Sequence, residues 1–130
     1  MPIHYSIDVN RRLLTRADGV VTFHDINAHL DVERRNGDLH RPELIDARGA
    51  TTDLTAEQVR HLVARSTEML QTLDLGPTAI VTDNKAVYVM ARLYAVLAER
   101  AGAVAEVFLD VDEATTWLRQ FTEEPGAPAE

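Results

Sequence analysis

The side chains best suited to chemistry are four acids, Asp46, Asp53, Asp83 and Asp110, and five histidines at positions 4, 24, 29, 40 and 61. Each of the four acids stands at or just beyond the end of a short apolar run. Carboxylates gathered in that way could hold Mg²⁺ or accept a phosphoryl group. However, Asp83 and Asp110 sit where helix caps belong, and Arg48 neutralises a neighbouring acid, so no metal site is expected from them. The histidines form neither HExxH nor any pairing with a carboxylate that reads as a metal site, and are expected to be solvated or half-packed. His24 and His29, five apart on one predicted helix, face different ways.

Other chemistry lacks its usual residues. The chain has no G-x-S-x-G elbow, no Walker loop and no G-x-G-x-x-G, which argues against acyl transfer, nucleotide hydrolysis and dinucleotide binding. It has no cysteine, which excludes thiol catalysis, thiolate zinc sites and disulfides and suits a cytoplasmic protein. A non-enzymatic protein without a cofactor is therefore expected. The 13 basic residues against 21 acidic ones give a formal charge of −8. Nucleic acid and anionic membranes are poor partners for such a surface. No apolar run approaches the ~20 residues that span a bilayer, and the start MPIHYSIDVN lacks the features of a secretory signal.

The elements that must position these residues follow from periodicity. Ile3, Tyr5, Ile7 and Val9 alternate with polar residues as in a half-buried strand. A tight turn near Asn10 and Arg11 leads to a second strand over Leu13 to Ala17, forming an antiparallel hairpin. Thr22 and Asp25 make an imperfect capping box for a helix from Phe23 to Arg35, which Asn36-Gly37 ends. Glu43 to Arg48 is a short apolar strand, as expected for an interior strand covered on both faces. Gly49 to Leu54 is a loop, and Thr55 with Gln58 forms a full capping box.

The helix beginning there presents Val59, Leu62, Val63, Ser66, Leu70 and Leu73 at helical spacing, leaving Glu57, Arg60, Arg65 and Glu68 in water. Gly76-Pro77 is its stop, and Ala79 to Val81 is the next strand. Thr82, Asp83 and Asn84 offer caps for a helix from Lys85 to Ala101. That helix carries two apolar stripes, one along Val87, Met90, Ala91, Tyr94, Leu97 and Ala98, the other along Ala86, Val89, Leu93 and Val96. So wide an arc implies burial on two sides: between sheet and helices, in a self-association face, or as the wall of an apolar pocket. Val104 to Leu109 is a last strand, and Asp110 with Glu113 caps a helix burying Ala114, Trp117, Leu118 and Phe121. Residues 1–122 read as a single domain, and the acidic tail at 123–130, EEPGAPAE, as disordered.

The order β-β-α-β-α-β-α-β-α predicts an α/β fold with a mixed, mostly parallel five-stranded sheet, antiparallel only at its first, edge strand. Sites in such sheets gather beyond the carboxyl ends of the strands. That rim carries Asp46, Arg48, the 51–55 segment, Asp83 to Lys85, and Asp110.

LIDARGAT, the TDLTAEQV that follows, AIVTDN before KAVYVMARLYAVLAERAG, and AEVFLDVDEATTWL cover most of the chain together. With the order of elements, they resemble the STAS superfamily, most closely its stand-alone bacterial SpoIIAA-like proteins, also described as STAS/SEC14-like domains. In anti-anti-sigma factors of that superfamily, the resemblance implies an Asp-Ser pair at the start of the second helix, where a kinase phosphorylates the serine. This chain has Asp53-Leu54-Thr55 there: the serine is replaced by threonine and one residue is inserted. Thr55 is thus a candidate phosphosite, at a helix end that favours anions, although its hydroxyl is also what an N-cap requires.

The resemblance implies a regulatory, cytoplasmic protein that binds a protein partner through the loop and helix after the third strand. Arg48, Thr52, Asp53, Thr55, Arg60, Asp83 and Asn84 are the candidate partner-binding residues. The SEC14 side of the resemblance implies an alternative, a carrier of a small apolar or lipid-like ligand. Met90 and Tyr94 would then line its site. A homodimer also fits the wide apolar arc.

Overall fold

A computed structural model describes residues 2–122. Strand β1, Ile3–Ile7, pairs antiparallel with β2, Leu13–Val21. The Asp8 carboxylate closes their turn, accepting from the Asn10 and Arg12 amides at 2.8 and 2.9 Å and from Arg12 Nε at 3.0 Å. Arg11 takes a φ of 64°, the left-handed conformation such a turn demands.

Three β-α units follow: α1 (Phe23–Arg35), β3 (Glu43–Thr52), α2 (Ala56–Leu70), β4 (Thr78–Val81), α3 (Lys85–Arg100) and β5 (Ala105–Phe108), before a last helix α4 (Val111–Thr122). The strands lie side by side in the order β1-β2-β3-β4-β5, with β2 to β5 all parallel. Right-handed crossovers between sequential neighbours put α1, α2 and α3 on one face of the sheet. The other face of β3 to β5 packs on α4, where Leu44, Ala79, Val81, Ala114 and Leu118 form a closed apolar layer. Trp117 joins that layer, its ring 5.7 Å from that of Phe108.

Two strands are longer than their hydrophobic pattern predicts. Asp18 to Val21 pair with Gly49 to Thr52 beyond a register shift at Ala17, so most of the expected loop after β3 is strand. Pairing with a neighbour satisfies the backbone there, whatever the side chains signal. Helix α2 ends sooner than predicted, at Leu70, with Gln71 as its cap and Leu73 exposed. The stop at Gly76 has a different basis. A Cβ on Gly76 would lie 2.2 Å from the Arg41 carbonyl oxygen, so only glycine lets the two chain segments pass.

The capping boxes at Thr22 and Thr55 are both complete, each hydroxyl accepting from the third helical amide and each partner side chain bonding back. Asp110 differs from expectation: it accepts from the Asp112 amide at 2.8 Å, one residue short of the box with Glu113. On α3 the first stripe is half-buried or buried, whereas Val89 and Val96 of the second are exposed, so the helix is not covered on two sides. Phe121 is also exposed, at 43%, with its ring 5.0 Å from that of Trp117. Residues 123–130, expected to be a disordered tail, fall outside the described residues.

Candidate functional site

Small residues on the sheet and larger ones on the helices leave a gap between them. Ala17, Ala47 and Ala50 face α1, α2 and α3, and Ile26, Leu62, Val87 and Met90 do not fill the space they leave. The result is a cavity of about 190 Å³ lined almost wholly by apolar side chains. Met90 and Tyr94 both line it, as the ligand-carrier expectation requires. The apolar arc of α3 is therefore partly the wall of a pocket.

The cavity ends on a polar cluster. His29 and Glu33 stand one turn apart on α1 and are the two buried side chains of that helix. Glu43, the first residue of β3, reaches them from the sheet, and Thr15 of β2 stands beside it. His29 Nε2 lies 3.0 Å from Glu43 Oε2 and 3.0 Å from Glu33 Oε2. One ring N–H can point at only one of them, and Glu33 Oε2 has no hydrogen-bond partner. The Thr15 hydroxyl donates to the same Glu43 oxygen that His29 engages. Tyr5 sets its ring edge-on to His29 at 5.6 Å, and its hydroxyl accepts from Asn36 and donates to Asp38, which pairs with Arg41.

Burial and mutual proximity set the charges here. Burial works against a charge on His29, but the two carboxylates beside it prevail and raise its pKa to about 10. Burial pushes Glu33 up to about 8, the charge of Glu43 adding to it and His29 opposing it. Glu43 would also rise by burial, yet its bond with His29, the field of that imidazolium and the Thr15 hydroxyl hold it below the ordinary carboxylate range. Near neutral pH His29 is thus held as an imidazolium beside the Glu43 carboxylate, with Glu33 shifted toward its protonated form.

These residues overturn the expectation for one of the five histidines. His4, His24, His40 and His61 are exposed, but His29 is buried and does meet carboxylates. The His29-Glu33 spacing was a readable signal, as was a glutamate opening the apolar run ELIDA. The sheet pairing that brings Glu43 to α1 has no local signature.

The predicted rim residues are brought to one end of the sheet but do not converge on a site. Arg48, now within β3, is exposed and holds Asp46 through two bonds of 2.9 and 2.8 Å. That contact, and the fields of Asp83 and Asp110, raise the Arg48 pKa, and the same bonds lower that of Asp46. Asp53, Arg60 and Asp83 are exposed, and the Thr55 hydroxyl is the α2 cap, accepting from Gln58 N at 3.1 Å. Asn84 caps α3, accepting from Val87 N. Thr52 donates to Val21 O at 2.7 Å and lines the cavity. Arg65, expected in water, instead bonds Asn27 and Asp31 and ties α2 to α1.

No protein-family profile matches the chain, and no curated protein matches it. Among solved structures, it is similar to an uncharacterised protein of the DUF3478 family with a SpoIIAA-like fold from Shewanella loihica PV-4. The two share 18% identity over 89% of this chain and 93% of that one, with a TM-score of 0.57. The fold is therefore SpoIIAA-like, as the sequence resemblance implies. Among the described residues no helix is long and apolar enough to cross a membrane.

Proposed function

We propose that the protein is a non-enzymatic carrier of a small, mainly apolar molecule held between the sheet and helices α1 to α3. The observation that carries this reading is the 190 Å³ apolar cavity closed at one end by Thr15, His29 and Glu43. An apolar cavity of roughly 150 Å³ accepts a benzene-sized guest. The space therefore suits a single ring or a short chain with one polar end, and is too small for a whole lipid. Its polar end offers Glu43 as acceptor to a ligand hydroxyl or amine. Thr15 and His29 meet on one oxygen of Glu43, which holds that carboxylate in a fixed orientation at the polar end of the cavity.

Native mass spectrometry of gently purified protein tests this. A co-purifying small molecule, or uptake of an added single-ring alcohol, supports it. A clean apo mass that no added apolar molecule shifts would sink it.

A second reading, regulatory partner binding in the cytoplasm, is favoured by the exposure of Arg48, Asp53, Arg60 and Asp83 along one rim. None of these side chains is buried in the core. Arg60→Glu should weaken capture of a native partner while leaving the fold intact; capture indifferent to that change would refute it.

A further inference from the structure

We infer that His29, Glu33 and Glu43 form a binding site for a divalent first-row transition metal ion, such as Zn²⁺, Mn²⁺ or Fe²⁺. The inference stands apart from the carrier reading and does not require the cavity to be filled.

The donor atoms of the three side chains lie within 4.8 Å of one another, and all three residues are buried. Among the described residues this is the one such group. The two carboxylate oxygens each lie 3.0 Å from the imidazole nitrogen. Donors that far apart subtend ~90° at an ion about 2.1 Å from each, an ordinary angle between neighbouring ligands. An ion there would displace two protons, the one on His29 Nε2 and the one on Glu33, leaving a neutral imidazole and two carboxylates as ligands.

The second observation is Glu33 itself. Its side chain is only 2% exposed to solvent, and its Oε2 lies 3.0 Å from His29 Nε2 without a hydrogen bond. Buried polar atoms are almost always bonded, so an orphan aimed into a donor cluster signals a missing partner. A neutral imidazole and two carboxylates carry two negative charges, which balance a divalent cation.

The donor set is imidazole and carboxylate without thiolate, which suits these ions. Thr15 holds Glu43 in place by donating to it, as an outer partner of a metal ligand does. A smaller cavity of about 50 Å³, touching Glu33, Glu43, Ser66 and Tyr94, leaves room for a water as a further ligand.

The test uses the whole chain stripped with a chelator and titrated with Zn²⁺ by calorimetry. One equivalent should bind, and Glu33→Gln, which keeps the size of the side chain, should weaken binding at least ~10-fold. His61→Gln, an exposed control, should leave it unchanged. Because a variant of a buried residue can fail to fold, the unmutated chain is also followed by ¹H–¹⁵N spectra of its histidine rings. Zn²⁺ should then shift the His29 signals alone. Absence of saturable one-to-one binding, undiminished affinity in folded Glu33→Gln, or shifts confined to His4, His24, His40 and His61 would overturn the site.

Discussion

His29 Nε2 and Glu43 Oε2 lie 3.0 Å apart in the interior, joining the middle of α1 to the first residue of β3. The bond is the polar floor of an otherwise apolar cavity and links the two layers that enclose it.

That pairing makes stability depend on pH, with a definite sign. In the metal-free chain His29 holds its proton to about pH 10 and Glu33 to about pH 8, against ordinary values of 6.5 and 4.5. Above the ordinary values the folded state binds more protons than the unfolded one, so stability falls as pH rises. The Glu33 part is lost from about pH 4.5 to 8, and the His29 part from about pH 6.5 to 10. Glu43, held low, acts oppositely and loses its contribution as pH falls through its folded value. Urea midpoints measured from pH 6 to 10 should decline, and Glu33→Gln should flatten the lower part of that slope. A midpoint independent of pH would contradict the cluster.

The cavity predicts that one enlargement is tolerated. Ala91 is buried and borders the space, so leucine there can extend into it without displacing neighbours. Overfilling a packed core usually costs about 1–3 kcal/mol. Ala91→Leu should instead change stability by less than ~1 kcal/mol, and raise it if the fit is good. Uptake of an apolar probe should be lost in the same variant. Thermal melts and native mass spectrometry would check both effects.

Gly76→Ala should be among the most damaging small substitutions. Its methyl group would meet the Arg41 carbonyl at 2.2 and 2.4 Å, and backbone cannot turn aside as a side chain can. A loss of about 3 kcal/mol is expected, at the upper end of overpacking costs. Chemical denaturation would reveal it, and an unchanged midpoint would mean the segments do not pass so closely.

Thr55→Ala should cost about 1 kcal/mol and Thr55→Ser little, because only the hydroxyl accepts the Gln58 amide. Equal losses for the two variants would point to the methyl group. Protein taken from its native host and carrying phosphate on Thr55 would show a second use for the same hydroxyl.

The sequence by itself determined whatever depends on neighbours within a turn or two. Alternation at Ile3 and Tyr5 and the helical spacing of Val59, Leu62 and Ser66 reported which faces meet the core, since burial repeats with the period of the backbone. Ile7 and Val9 of the same alternation are nevertheless exposed, and buried Met69 lies outside the expected stripe. The caps at Thr22 and Thr55 were legible because both partners sit within three residues. The sequential α/β order then settled the parallel sheet, because a helix crossing between neighbouring strands returns the chain to the end of the sheet where it began.

Tertiary structure decided what depends on distance between elements. Gly49 to Thr52 became strand because β2 extends beside them and offers partners, a fact absent from their own composition. Arg65 found Asn27 and Asp31 across a helix interface that no spacing within α2 announces. The cavity arises from alanines on three strand positions opposite helices held at sheet-packing distance. The site arises from a β3 residue brought under α1: His29 and Glu33 were one turn apart from the start, but only folding supplied Glu43 and removed the water that would have kept all three apart.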